Sequence, residues 1–165
     1  MSKTAKILAV ISIILLLSWI GIRVVATVQY DFGCGAYLKR AANANTVEIA
    51  KEELAKAISY AEDHGLTNGI VSIFFKNPAN DLGYWYKNMV ACYDELEGLP
   101  EDSTPLEKTN VLMKLRESLT DGTDNGTTVV APSGISIYPY NVTMAALGML
   151  VILMGALTLV SLKKK

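Results

Sequence analysis

Two long, uncharged apolar runs constrain this chain more than any other feature of its sequence. The first extends from Ile7 to Ile22 and resumes after Arg23, and the second extends from Val142 to Leu162. A helix needs about 20 apolar residues to cross the hydrocarbon core of a bilayer, and both runs reach that length. The sequence therefore predicts an all-α membrane protein with transmembrane helices over residues 7–28 and 142–162.

The charged residues distinguish the centre of the chain from its ends. All 16 Asp and Glu lie between Asp31 and Asp124. The same region holds nine Lys or Arg, so its net charge is −7. An acidic surface repels phosphate backbones, and nucleic acid is therefore not expected as a partner of the central region.

Basic residues beside the apolar runs predict the topology, because Lys and Arg favour the cytoplasmic side of a membrane. The outer flanks carry five lysines: Lys3, Lys6, Lys163, Lys164 and Lys165. We therefore expect residues 1–6 and the basic tail 163–165 in the cytoplasm, and the central domain outside it. An alternative is that the first run is a signal peptide cleaved after Val24-Val25-Ala26, which would leave the domain outside with a C-terminal anchor.

Residues 29–120 are predicted to form a small antiparallel helical bundle, with helices over about 36–64, 82–97 and 105–120. Capping residues mark the starts of the helical segments: Asn45 within the first range, Asn80 or Asp81 for the second helix, and Ser103 or Thr104 for the third. Apolar residues then recur at three- and four-residue spacing. The Gly-, Thr- and Pro-containing stretch 121–141 is expected to be an extended linker.

The connection between the first membrane helix and the bundle allows two interpretations. Three–four spacing upstream of Asn45 favours one long helix that continues outward to His64. Gly33 and Gly35 favour instead a break or kink, since each glycine costs up to about 1 kcal/mol relative to alanine in a helix interior.

Two short segments indicate a source rather than an activity. The stretches "YLKRAANANTVEIA" and "LEKTNVLMKLRESL" resemble segments of two-span bacterial proteins that have no assigned function. The resemblance implies a bacterial inner membrane and no particular chemistry.

Candidate catalytic and metal-binding residues are few. His64 is the single histidine, and the two cysteines, Cys34 and Cys92, lie far apart in the sequence. No zinc spacing, phosphate-binding loop or nucleophile motif is present, so no catalytic residue, metal or cofactor is expected. Cys34 lies too far beyond the apolar run for lipid attachment. On the predicted outer side, a disulfide between Cys34 and Cys92 is expected.

Two further sets of residues are candidates for contacts with other molecules. The aromatic cluster Tyr84, Trp85 and Tyr86 provides a core anchor in Trp85 and a candidate partner surface in its neighbours. In the second apolar run, small residues allow a close helix approach, either to the first run or to another copy of the chain. These are Ala145, Gly148, Gly155 and Ala156.

These observations lead to three functional hypotheses. The favoured one is a non-enzymatic membrane protein whose extracytoplasmic domain acts as an interaction, scaffold or accessory module of a membrane complex. Its partners would be the lipid bilayer and another membrane or envelope protein, or a second copy of the chain. The alternative is a small oligomeric pore or channel, and the least favoured is a membrane-tethered enzyme.

Overall fold

The computed structural model describes residues 3–74, 76–123 and 126–163. The chain is mostly helical, at 74% of residues. Its helices are α1 (Lys3–Tyr30), α2 (Ala36–Ala42), α3 (Val47–Asp63), α4 (Leu82–Glu97), α5 (Pro105–Leu119) and α6 (Asn141–Lys163). A π-helical turn, Asp31–Gly35, joins α1 to α2, and short 3-10 turns occupy Pro78–Asn80 and Ile135–Ile137.

Two helical segments are long and apolar enough to cross a membrane. They are Ala5–Ala42, which comprises α1 from Ala5 onward, the π-helical turn and α2, and Asn141–Ser161 within α6. The chain divides into two compact units, one comprising residues up to 28 and from 136 onward, the other residues 29–135. The first unit therefore contains both apolar runs.

Within the first unit, α1 and α6 contact each other through small and polar residues. The indole Nε1 of Trp19 donates a hydrogen bond to the carbonyl oxygen of Met144 at 2.9 Å. A Cβ atom on Gly148 would lie 3.3 Å from that indole nitrogen, so the absence of a side chain there lets the ring approach α6. The Ser12 and Thr158 hydroxyl oxygens lie 3.2 Å apart.

In the second unit, the helical backbone continues from the π-helical turn through α2 and ends at Ala42. The prediction of one helix over 36–64 was wrong, because the backbone leaves helical geometry between α2 and α3. The cap is Thr46 rather than Asn45, since the Thr46 side chain accepts a hydrogen bond from the Ile49 amide. Gly33 and Gly35 lie in the π-helical turn, so helix continues through them instead of ending.

α3 runs antiparallel to α2 and the π-helical turn. Arg40 pairs with Glu53, and farther along α3 the ring of Tyr60 lies against Gly33. Tyr60 also makes an edge-on contact with Tyr30, with 6.3 Å between ring centroids. The end of α3 therefore returns to the level of Tyr30, the last residue of α1.

α4 and α5 complete the bundle. The range of α4 is the one that its apolar stripe indicates, and Leu82, Trp85, Met89, Cys92 and Leu96 are all buried. Asp81 caps α4, and Thr104 caps α5 in a capping box with Glu107. Leu115 and Leu119 of α5 are buried, whereas Leu106, in its first turn, is 68% exposed.

The predicted extended linker over 121–141 was wrong in its first part. Strands β1 (Thr120–Thr123) and β2 (Gly126–Val129) pair as an antiparallel hairpin, with Thr120 opposite Val129. β1 follows α5 directly, so the bundle passes into the hairpin without a loop. Thr and Val residues favour strands, which explains the pairing of a segment with little apolar content.

Candidate functional site

A cleft of about 530 Å³ lies between the first half of α4, the end of α5 and the segment that follows the hairpin. Its apolar lining comes from Pro78, Ala79, Leu119, Val130, Ala131 and Pro132. Sites for small ligands and anchor side chains are typically of this size, mostly apolar and furnished with a few polar groups. The cleft is therefore the strongest candidate for a binding site in the part of the chain that the structure describes.

Hydrogen bonds hold the walls of the cleft in place. Trp85 is buried, and its indole Nε1 donates to the carbonyl oxygen of Val130 at 2.9 Å. The Val130 amide in turn donates to the carbonyl oxygen of Leu119 at 2.9 Å. On the other side, the Asn88 side-chain amide donates to the carbonyl oxygen of Ser118 at 3.4 Å. α4, α5 and the segment after β2 are thus connected around the cleft.

Tyr84 is the exposed aromatic residue of the cleft, with 71% of its surface accessible to solvent. Asp81 is the only carboxylate among the described lining residues, and its Oδ1 accepts a hydrogen bond from the Tyr84 amide at 3.0 Å. That carboxylate is occupied as the cap of α4. The lining thus offers an aromatic side chain and apolar surface rather than an acid–base pair.

The structure separates the three aromatic residues that the sequence groups together. Tyr84 and Trp85 line the cleft, whereas Tyr86 lies on another face of α4, facing α3. The Tyr86 hydroxyl donates a hydrogen bond to Glu62. This bond is the main cause of the raised pKa of Tyr86, because the neutral phenol is the donor. Tyr86 connects two helices and takes no part in the cleft.

The predicted disulfide is not formed, because Cys34 and Cys92 are both free and buried. Cys34 faces α3, where its Sγ lies 3.8 Å from the carbonyl oxygen of Ala57. Cys92 faces α5, and burial raises the pKa of its thiol while a hydrogen bond with Ser118 opposes that shift. The two thiols thus contact different helices, and both behave as small core residues.

A buried carboxylate lies between α2 and α3. Glu53 is 3% exposed, and its Oε1 lies 2.9 Å from Arg40 and 3.1 Å from Lys56. The Oε2 atom of Glu53 is buried without a hydrogen-bond partner. Lys56 also pairs with Glu52 at 2.8 Å, and this hydrogen bond is the main cause of the lowered pKa of Glu52. Sequence patterning missed this network because Glu53 is charged and directly follows the exposed Glu52, which gave no local reason to expect its burial.

The small residues of the second apolar run do not form one continuous contact in the structure. Gly148 packs against Trp19 of the same chain, whereas a Cβ on Gly155 would meet nothing within 4 Å. Ala145 is half-buried and Ala156 is exposed. Of the lysines expected to fix topology, Lys3 and Lys6 are exposed and Lys163 ends α6, while Lys164 and Lys165 lie outside the described residues.

His64 is an exposed residue that follows α3. Its ring stacks on Tyr60 with 3.9 Å between centroids, and its Nδ1 lies 2.9 Å from the carbonyl oxygen of Tyr60. Within residues 3–74, 76–123 and 126–163, no group of three or more His, Cys, Asp or Glu side chains is placed to hold a metal ion. The surroundings of His64 are those of a helix terminus.

Comparisons with protein-family models, with curated proteins and with solved structures found no match to this chain.

Proposed function

We propose that this chain is a non-enzymatic membrane protein whose helical domain lies outside the cytoplasm and serves as an interaction, scaffold or accessory module of a membrane complex. α1 and α6 would be its two transmembrane helices, with both termini in the cytoplasm, and the membrane would be a bacterial inner membrane. The single observation that carries the binding role is the cleft beside Tyr84. It combines an exposed aromatic side chain with about 530 Å³ of mostly apolar space.

The chemistry of the cleft favours recognition of a protein partner. Tyrosine is common among the residues that dominate binding energy, because its ring fills a pocket while its hydroxyl remains available for a hydrogen bond. Tyr84 lies in the first turn of α4, where 71% of its surface is exposed. The ring is therefore accessible to a partner.

Two observations favour this role over the alternatives. A pore would need polar groups facing an aqueous path, but the Ser12 hydroxyl lies within hydrogen-bonding distance of Thr158 in the same chain. Thr158 itself donates to the carbonyl oxygen of Met154 at 2.9 Å, so Ser12 is the donor of that pair. An enzyme would need a general acid or base in the cleft, where Asp81 is engaged as a helix cap.

Photocrosslinking in native membranes tests the binding role. A photoreactive amino acid replaces Tyr84 in one variant of the full chain, and Leu106, which is 68% exposed and remote from the cleft lining, in the matched control. We expect one discrete adduct from position 84 that is absent from position 106. An absence of adducts at position 84, or the same adducts from both positions, would contradict a partner site in the cleft.

A further inference from the structure

Arg23 carries the only charge in the part of the first unit where α1 ends and α6 begins. This unit, which comprises residues up to 28 and from 136 onward, contains no Asp or Glu. Its other basic residues are Lys3 and Lys6, near the start of α1, and the lysines from 163 onward, which end α6 or follow it in the sequence. The sequence of the unit therefore offers Arg23 no carboxylate as a partner.

The contacts of Arg23 differ from those of the other two arginines of the chain. Arg40 pairs with a buried carboxylate at 2.9 Å, and the Nε atom of Arg116 donates to a backbone carbonyl oxygen at 3.1 Å. The guanidinium group of Arg23 lies instead over the ring of Trp19, 5.0 Å from its centroid. A guanidinium that stacks on an aromatic face keeps the N–H donors at its edge available. Trp19 thus positions the charge of Arg23 without neutralising it.

Arg23 lies on the face of α1 that contacts the beginning of α6 and the residues before it. Trp19, Arg23 and Thr27 are four residues apart, so they follow one another along one face of the helix. At one end of this row, the Trp19 indole donates to the carbonyl oxygen of Met144 at 2.9 Å. At the other end, the Thr27 hydroxyl oxygen lies 3.4 Å from that of Ser136. Two contacts within the unit therefore bracket Arg23, whose side chain is exposed between them.

The position of Arg23 along α1 suits the phosphate layer of a bilayer. Tryptophan is enriched where the hydrocarbon core meets the headgroups, and an arginine near the end of a span extends its charged group to that level. A guanidinium can bind a phosphate through two parallel N–H···O bonds, with N···O distances of about 2.8 Å. Because charges at this depth are paired and the unit has no carboxylate, a lipid phosphate is the anion best placed to pair with Arg23.

We propose that Arg23, held over the Trp19 ring, binds the phosphate group of a phospholipid. The positive charge is not balanced by an acidic residue of the unit, so an anionic phospholipid is the preferred ligand. Inorganic phosphate offers the same chemistry from solution, and the experiment below separates the two sources. The inference rests on the proposal that α1 and α6 cross the bilayer.

Solid-state NMR on the full chain tests the proposal. The protein carries isotopically labelled arginine Cζ atoms and is placed in vesicles of phosphatidylcholine and phosphatidylglycerol in a buffer without phosphate. Dipolar coupling to lipid phosphorus dephases the signal of a Cζ atom that lies beside a phosphate. We expect dephasing of one of the three arginine signals, its loss in Arg23→Gln and its retention in Arg116→Gln. Arg116 is the matched control, because it is also exposed but lies outside the first unit.

Three outcomes would overturn the proposal. They are no dephasing in the native chain, dephasing that persists in Arg23→Gln, and dephasing that appears only when inorganic phosphate is added to the buffer. The last would assign the site to a free ion. Magnetisation transfer from the acyl-chain protons to the side chains of α1, measured on the same samples, tests the spans separately. Its absence would overturn the proposed spans, whereas transfer without dephasing would overturn the phosphate site alone.

Discussion

The contact between Gly33 and Tyr60 provides a sharp quantitative test of the packing between the π-helical turn and α3. A Cβ atom on Gly33 would overlap the ring of Tyr60. The ring cannot turn away freely, because it is stacked on His64 and makes an edge contact with Tyr30. Gly33→Ala therefore forces either overpacking or the loss of these ring contacts.

The expected cost follows from the two ways in which the site can respond. Overpacking a core typically costs about 1–3 kcal/mol, and an aromatic pair contributes about 0.5–1.5 kcal/mol. Because the ring is only half-buried and can shift partly, we take the lower part of this range, about 1.4 kcal/mol. Gly35→Ala is the matched control, since its Cβ would lie at an ordinary distance of 3.6 Å from the Asp31 carboxylate. Both variants gain similar helix propensity, so the difference in stability between them isolates the steric cost.

The native cysteine in the same turn is the reporter. Cys34 is fully buried, so a thiol reagent reaches it only when this part of the domain opens. We expect Cys34 in Gly33→Ala to be labelled about tenfold faster than in Gly35→Ala, since 1.4 kcal/mol is a factor of ten. Rates are measured on the full chain in detergent by peptide mass spectrometry and normalised to the denatured protein.

A background without the ring completes the test. In Tyr60→Ala, the added Cβ of Gly33→Ala meets no aromatic ring, so the ratio between the two alanine variants should fall to about one. Equal labelling rates for the two variants in the native background would refute the steric account. A tenfold ratio that persists in Tyr60→Ala would show that the cost of Gly33→Ala comes from elsewhere.

Three further predictions concern the remaining features of the domain. Arg40→Gln should lower the free energy of urea unfolding by about 1–2 kcal/mol, because it removes a partner from the buried Glu53. The control Lys114→Gln, at an exposed ion pair, should lower it by less than about 1 kcal/mol. Equal losses in the two variants would contradict this reasoning. Hydrogen bonds from Thr104 lower the pKa of Glu107 in the folded state, so the capping box contributes fully above the unfolded carboxyl pKa of about 4.3 and loses its contribution as pH falls through the lower folded value; Glu107→Gln should abolish this part of the pH dependence of thermal unfolding. Alkylation of the denatured, unreduced protein should modify both native cysteines, and a mass lower by two alkyl groups would indicate a disulfide.

The sequence predicted best the helices whose capping residues and apolar spacing lie within one short segment of the chain. α4 is the clearest case, because Asp81 caps it and all five residues of its stripe are buried. The N-cap of α3 was placed one residue early, since Asn45 and Thr46 are both good caps and only the hydrogen bond to Ile49 distinguishes them. The hairpin was missed because its strands lack apolar alternation, although Asn125-Gly126 between Thr-rich runs is a recognised turn signal.

The candidate site could be predicted only in part, because it depends on contacts between residues far apart in the chain. The aromatic composition pointed to Tyr84 and Trp85, but nothing local indicated that Val130 would accept the indole hydrogen bond and close the cleft. The disulfide prediction failed for the same reason. The predicted outer location favoured it, whereas tertiary packing turned Cys34 toward α3 and Cys92 toward α5.

The most direct test of the overall account is the sidedness of two engineered thiols in intact cells. Both native thiols are buried, so exposed positions are needed: Ile49→Cys in the domain and Lys3→Cys at the N-terminus. A membrane-impermeant maleimide should label position 49 in intact cells and position 3 only after permeabilisation. Labelling of position 3 in intact cells, or of position 49 only after permeabilisation, would contradict two spans that hold the helical domain outside the cytoplasm.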